Sequence, residues 1–377
     1  MPYKVSIGVA QMLKFNMSDC WLTAGAIVSA IGFFGLHEAH AWTSGLEYTN
    51  QPGLAAIKVY TGDANNPSAY DQGYFGKGIR IGVSDGGINP SHVEFLGAIA
   101  AGFDALTGKS GTTNFSAFLK DGDDGHGSHV ASIAAARLDG AARTLNMQGV
   151  AYQASLVIAG WPETEVTAKQ DGYWASSLNY ISGQNVKVIN NSWGDASKGV
   201  DPKAEAAAFA SQYPKTLEAF KLALSKGAVI VVSNGNDRGE AGIGLNPGAP
   251  AAMPTYDAEV AKYGAWIAVA ATNLDGTAIA SYSNYCGVAK MYCVAAPGGL
   301  DNDDPTGMNG AKAATNDGYV YMAGTSMAAP VVSGVVALVA EKYPWMSSRN
   351  LTTTILTTAK DAAAPTNELG RGLIDVS

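Results

Sequence analysis

Gly324-Thr325-Ser326-Met327-Ala328-Ala329-Pro330 runs straight into Val331-Val332-Ser333-Gly334-Val335-Val336-Ala337-Leu338-Val339. A small residue and two hydroxyls precede about two turns of apolar side chains. The pattern predicts a tight turn that presents Ser326 at the N-terminus of a buried helix, where the first amides have no partner within the helix. Taken alone, the stretch is equally an N-capped core helix, with Thr325 or Ser326 as the cap. The rest of the chain decides between a cap and a nucleophile.

Upstream, strand-like and helical segments alternate. Gly78 to Ser84 is a β-branched run ending at Asp85-Gly86-Gly87, and His126 to Arg137 has the apolar spacing of a helix. Further strands fit Ser155–Ala159, Val186–Asn190, Ala228–Val232 and Trp266–Ala270. Further helices fit Tyr173–Ile181, Lys203–Lys226 with a break at Pro214, Ser326–Lys342 and Ser348–Lys360. Ala228-Val229-Ile230-Val231-Val232 is continuously apolar, as strands buried on both faces are. The alternation predicts an α/β fold with a mostly parallel central sheet and helices on both faces. Sites in such sheets gather at the carboxyl ends of strands. Asp85, the Asn190-Asn191-Ser192 turn and the Asn234-Gly235-Asn236 turn all fall there.

Histidines narrow the chemistry. The chain has five, His37, His40, His92, His126 and His129, and none follows Ser326. A hydrolase with the chain order Ser, acid, His is therefore excluded, whereas Asp, His, Ser and His, Asp, Ser remain open. In Asp123-Asp124-Gly125-His126-Gly127-Ser128-His129, one imidazole stands at a helix start beside small residues that leave room for a nucleophile. Three readings of the segment stay open: a base, a metal pair of His126 and His129 with Asp123 or Asp124, and plain helix-start polarity. The metal reading lacks the Glu that helical zinc pairs enclose.

Composition bounds the rest. With 377 residues, 47% apolar and 15% charged, the chain can bury a large core and is too apolar for disorder. A net charge of −8 without a Lys/Arg cluster argues against nucleic acid. Lys4 and Lys14 lie in a polar lead before the apolar Trp21–Leu36, and Ala39-His40-Ala41 offers a small-x-small cleavage site. Residues 1–41 are therefore expected to be a signal peptide, with no stable membrane insertion after cleavage. An uncleaved anchor is the other reading. Removing Cys20 leaves Cys286 and Cys293, which in an oxidising compartment suggest a disulfide worth roughly 2.5 kcal/mol. Two reduced, buried thiols are the alternative.

Three signatures together resemble the subtilisin family: Asp85-Gly86-Gly87-Ile88 with His92, then His126-Gly127-Ser128-His129-Val130-Ala131, then Gly324 to Pro330. They stand in that family's order, and the likeness covers about residues 50–376. Gly149-Val150-Ala151, Ile189 to Gly194 and Val232 to Asp237 resemble its substrate-strand and oxyanion segments. A narrower resemblance, to subtilisin-like passenger domains of bacterial autotransporters, rests on Ser281 to Lys290 with Cys293, on Asn190 to Gly194 and on Leu356 to Ala359. Those proteins continue into an outer-membrane β-barrel. Here no alternating ten-residue strands follow the core, so two readings stay open: a free secreted relative, or a fragment whose barrel domain is missing.

The resemblance implies a secreted, periplasmic or surface serine endopeptidase of a bacterium acting on peptides or proteins. Its single subtilisin-like domain would be 42–377, with 42–77 as an entry arm. Ser326 would be the nucleophile, His126 the general base and Asp85 its orienter. Asn236 would be the oxyanion donor, with Asn234 as rival. Ser192, Trp193, Gly194, Asn234 and Gly235 would line the substrate strand, Trp193 as an apolar pocket wall or else as a core residue. No metal or other cofactor is implied. Calcium is possible in the family, but no ligand can be assigned from the sequence.

Four departures stand out. Gly86 replaces a usual hydroxyl residue after the acid, which loosens a local hydrogen bond. Ser128 replaces Thr, and Ser132 replaces a Gly that allows close helix packing. Residues 42–77 are too short for a folded prodomain. A catalytically inactive, subtilase-like surface binding module is the alternative function.

Overall fold

In the computed structural model the described residues are 45–120, 125–164, 166–195, 197–239 and 241–377. Residues 1–41, expected to be a signal peptide, lie outside them, as do Asp123 and Asp124. In chain order the sheet strands are β1 (Arg80–Asp85), β2 (Ile99–Asp104), β3 (Lys109–Gly111), β4 (Ser155–Gly160), β5 (Val188–Asn191), β6 (Val229–Ser233), β7 (Trp266–Thr272) and β8 (Cys293–Pro297). They form one sheet in the order β3-β2-β4-β1-β5-β6-β7-β8. Only the edge pair β2–β3 is antiparallel. A separate antiparallel hairpin joins β9 (Met308–Ala311) to β10 (Tyr319–Met322).

The helices are α1 (Leu46–Thr49), α2 (Pro52–Ala56), α3 (His126–Ala135), α4 (Thr167–Ser182), α5 (Pro202–Gln212), α6 (Pro214–Ser225), α7 (Ala249–Tyr256), α8 (Ala258–Ala261), α9 (Thr325–Lys342) and α10 (Ser348–Thr358). Successive strand residues point to opposite faces, so the sheet divides two apolar layers. Val229 and Val231 of β6 join Val130, Val332 and Ile355 from α3, α9 and α10. Ile230 and Val232 join Trp174, Phe209, Phe220 and Met253 from α4 to α7. Among the described residues only α9 is long and apolar enough to cross a membrane, but 78% of that stretch is buried, as a core helix is.

The expected strands and helices are present with shifted ends. Pro214 does break the Ala-rich segment: it is the first residue of α6, where a missing N–H costs nothing. α4 starts six residues before the expected Tyr173, at Thr167. The strands β2, β3 and β8 and the β9–β10 hairpin are additions that the sequence pattern does not predict. The segment ahead of β1 packs on the core. Ile57 and Val59 are buried, Tyr70 Oη donates to the Val150 carbonyl at 2.7 Å, and Glu341 accepts the Phe75 and Gly76 amides.

This topology positions the site. β1 has β4 on one side and β5 on the other, so the chain order reverses at β1. A crevice forms outside the carboxyl ends of strands at such a reversal. Asp85 is the last residue of β1.

Candidate active site

Asp85 is 2% exposed at the end of β1, and α3 begins at His126 directly opposite. His126 Nδ1 lies 2.8 Å from Asp85 Oδ1, which also accepts the Gly86 N–H at 2.8 Å. That contact fixes Nδ1 as the protonated nitrogen and leaves Nε2 to accept. Gly127 permits the approach, since a Cβ there would sit 1.9 Å from the Gly87 carbonyl oxygen. Asp85 Oδ2 accepts no hydrogen bond from the described residues. The glycine at 86, which brings no hydroxyl to this carboxylate, is consistent with that.

Ser326 occupies the first turn of α9, and the helix's own proline secures it. Pro330 has no N–H for the carbonyl four residues back, which belongs to Ser326. Ser192 Oγ fills that vacancy, donating to the Ser326 carbonyl at 2.7 Å. The link continues inward: Asn190 Nδ2 donates to Ser192 Oγ at 2.9 Å, and Ser333 Oγ donates to Asn190 Oδ1 at 2.9 Å. A buried polar run thus ties the end of β5 to two turns of α9. Ser326 Oγ itself donates to the Ser192 carbonyl at 3.0 Å, not to His126.

Gly235, at φ +104°, separates the two asparagines. Before it, Asn234 is fully buried, with Nδ2 3.3 Å from the Tyr285 carbonyl and 3.5 Å from Cys293 Sγ. After it, Asn236 is exposed, and its Oδ1 accepts both the Thr325 N–H and the Thr325 hydroxyl at 2.9 Å. This pins the Asn236 carboxamide and leaves Nδ2 as its free donor beside Ser326. Asn234 is therefore corrected: it braces the turn from beneath and does not reach the cleft as a substrate contact or rival donor. Gly235 serves as the turn between them, donating its N–H to Thr325 Oγ1 at 3.1 Å.

Trp193 is corrected as well. It is 8% exposed and stacks on Trp174 at 4.3 Å, with Trp161 and Phe220 each 5.9 Å away. Its side chain belongs to the core layer, not to a pocket wall. Gly194 is exposed and has open space where a Cβ would be, so a second backbone can approach.

The other two candidate histidines have structural positions. His92 is buried, its Nδ1 accepting the Glu94 N–H and its Nε2 donating to the Gly318 carbonyl at 2.8 Å. His129 is buried with Nε2 3.0 Å from the Met308 carbonyl and 3.2 Å from that of Val320, fastening the β9–β10 hairpin to α3. Burial, aided by the charge of His126, pushes its pKa down to about 4. An Nε2 that donates to carbonyls has no lone pair for a metal, and the lone pair of this tautomer stays on the buried Nδ1. Ser132, expected to disturb packing, is accommodated: it donates to the His129 carbonyl at 2.7 Å and accepts the Ala311 N–H at 3.0 Å. Ser128 accepts the Asn89 N–H at 2.8 Å. Cys286 and Cys293 are joined by a disulfide with Cα atoms 5.8 Å apart.

His126, Ser326 and Asn236 line one open hollow of about 440 Å³, together with Asn302, Asp303 and the β10 residues Val320 to Met322. A carboxylate-oriented imidazole, a hydroxyl at a helix N-terminus and a fixed amide donor suit acyl transfer. Residues 76–372 match the subtilase family, and the chain belongs to it. It is 31% identical to an extracellular serine protease of Serratia marcescens, over 88% of this chain and 33% of that protein. It is 27% identical to the Neisserial autotransporter lipoprotein NalP of Neisseria meningitidis, over 84% of this chain and 35% of that protein. The chain thus spans about a third of the length of these two curated relatives. Among solved structures, fervidolysin from Fervidobacterium pennivorans, described as keratinolytic and related to subtilisin, has TM-score 0.60 and 26% identity over 86% of this chain and 44% of its own.

Proposed function

We propose that the chain is a secreted serine endopeptidase working through an acyl-enzyme intermediate. One observation carries the reading: the Asp85–His126 pair opens onto the same hollow as Ser326. An extended peptide pairing with the Ser192-Trp193-Gly194 edge brings a backbone N–H to the Ser192 carbonyl. Ser326 Oγ then gives up that carbonyl and turns to His126 Nε2. The oxygen attacks the scissile carbonyl carbon while its proton passes to the imidazole. The oxyanion is met by the Ser326 N–H and Asn236 Nδ2. Collapse breaks the C–N bond, and the amine leaves with the proton from His126. Water repeats the sequence and frees Ser326. Asp85 holds the imidazole tautomer throughout. The reaction as drawn requires no metal and no organic cofactor, and no calcium ligand is assigned.

Residues 1–41 act as the export leader in this reading, and 42–377 as one peptidase domain with 42–77 as its arm. The relatives named extracellular and autotransporter support export to the bacterial surface or medium. Their greater length supports a further domain, such as an outer-membrane barrel, acting as partner. The test is a labelled fluorophosphonate, which should form an adduct on Ser326 that is absent in Ser326→Ala and grows faster as His126 loses its proton. A folded protein that takes up no label would instead be a binding module.

A further inference from the structure

The hollow beside Ser326 is asymmetric. Ser192, Trp193 and Gly194 do not line it, whereas Asn302, Asp303, Tyr321 and Met322 do. A peptide whose acyl half pairs with the Ser192–Gly194 edge must cross Ser326 and enter this hollow with its leaving-group half. Asp303 is held there in an uncommon conformation. Its φ is +56°, a left-handed value that Asp tolerates better than most residues, and its N–H donates to the Tyr321 carbonyl at 2.9 Å. Next to it, Asn302 Oδ1 accepts the Ala323 N–H at 2.7 Å, tying the loop to the start of α9. The Asp303 carboxylate makes no hydrogen bond or ion pair with the described residues, and the exposed Asp301 and Asp304 add to the local negative potential. Tyr321 and Met322 offer a ring and a flexible apolar surface on which the methylenes of a long cationic side chain can lie.

We propose that Asp303 makes the enzyme favour a Lys or Arg side chain on the leaving-group side of the scissile bond. This rests on the endopeptidase reading above. A carboxylate with no cation of its own, beside the reacting serine, gains a partner only when such a substrate binds. Because the hollow is open to solvent, the gain is that of a partly screened pair.

The experiment measures kcat/KM of the full chain on peptide pairs that differ in one residue, Lys or Leu, at the first or second position after the cleaved bond. Wild type should prefer Lys by roughly two- to fivefold at low salt. High salt should shrink that ratio. Asp303→Asn, which tolerates the same backbone, should bring it near unity, and Asp303→Lys should shift preference to Asp or Glu at that position. A Lys-to-Leu ratio unchanged across all three proteins overturns the proposal, as does wild-type cleavage with no basic preference. Failure of the wild type to cleave any peptide or take up the fluorophosphonate overturns the endopeptidase reading itself, and this proposal with it.

Discussion

On one side of the cleft, Ser192 is fixed to α9 directly and through Asn190 and Ser333, a run of hydroxyl and carboxamide groups. On the other side, the β9–β10 hairpin is fastened by His129, which donates to the Met308 and Val320 carbonyls, and by Tyr319, whose hydroxyl donates to Glu94. The first wall uses groups that keep one charge state across the ordinary pH range. The second depends on a buried imidazole and a buried carboxyl, both of which titrate. The wall that would align the acyl half of a substrate is thus built to ignore pH, and the wall beyond Ser326 is not.

The largest effect should fall on the strand wall's side, at the turn after β6. Asn236→Ala removes the pinned amide beside Ser326 while leaving Thr325 its hydroxyl. We expect kcat to fall about 10²–10³-fold with little change in KM, which is the loss known for the oxyanion asparagine of a subtilisin. Asn234→Ala should behave differently, lowering thermal stability through the lost contact with the Tyr285 carbonyl and leaving kcat of the folded fraction near wild type. Steady-state kinetics beside a melting curve distinguishes the two. Equal losses of kcat would undo the separation that Gly235 makes between them.

The next effect is one of stability. Ser333→Ala deletes the buried hydroxyl that donates to Asn190 Oδ1, leaving a buried acceptor unmet at a cost of about 1–3 kcal/mol. Nothing in that run titrates, so the loss measured by denaturant unfolding should be the same at about pH 5 and about pH 8. A loss that varies with pH would mean that the strand wall is coupled to an ionising group and that the contrast between the walls fails.

The two walls are also unequally legible in the sequence. Ser326, His126 and Asp85 are readable as a candidate site because a hydroxyl, an imidazole and a carboxylate stand at strand and helix ends in the sequence pattern, and few histidines compete. The strand wall is half readable: Ser192 and Gly194 follow an apolar strand, but Trp193 has the look of a pocket residue. Its burial depends on Trp161, Trp174 and Phe220, partners distant in sequence that no local pattern reveals. The asparagine pair separates only through the φ of Gly235. The hairpin wall is not legible at all. Met308-Asn309-Gly310-Ala311 is four residues long with no period-two alternation, and it is a strand because β10 pairs with it and His129 and Ser132 hold it from α3. The shortness of β3 and the lack of a clear hydrophobic period in β2 hide the β3 edge of the central sheet in the same way.

The smallest effect is the pH slope of the hairpin wall. Burial raises the Glu94 pKa from 4.5 to about 8, outweighing the Tyr319 hydrogen bond and Arg143, which lower it. Glu47, whose Oε1 accepts from Gly140 and Asn146 in the same region, is raised by burial to about 7. Between about pH 4.5 and these values the folded protein keeps protons that the unfolded chain releases, so stability falls as pH rises through that window. His129 acts at the opposite end. Its folded pKa of about 4 lies below the ordinary 6.5, so the unfolded chain binds the proton first and stability falls as pH drops from 6.5 toward 4. Glu94→Gln keeps an acceptor for Tyr319 but cannot ionise. Its melting temperature should therefore decline less steeply than wild type's between about pH 5 and pH 8, with the gap widest at the alkaline end. The acid-side fall due to His129 should remain in the variant. If the two melting curves run parallel across the whole range, Glu94 is not the group that makes the hairpin wall respond to pH.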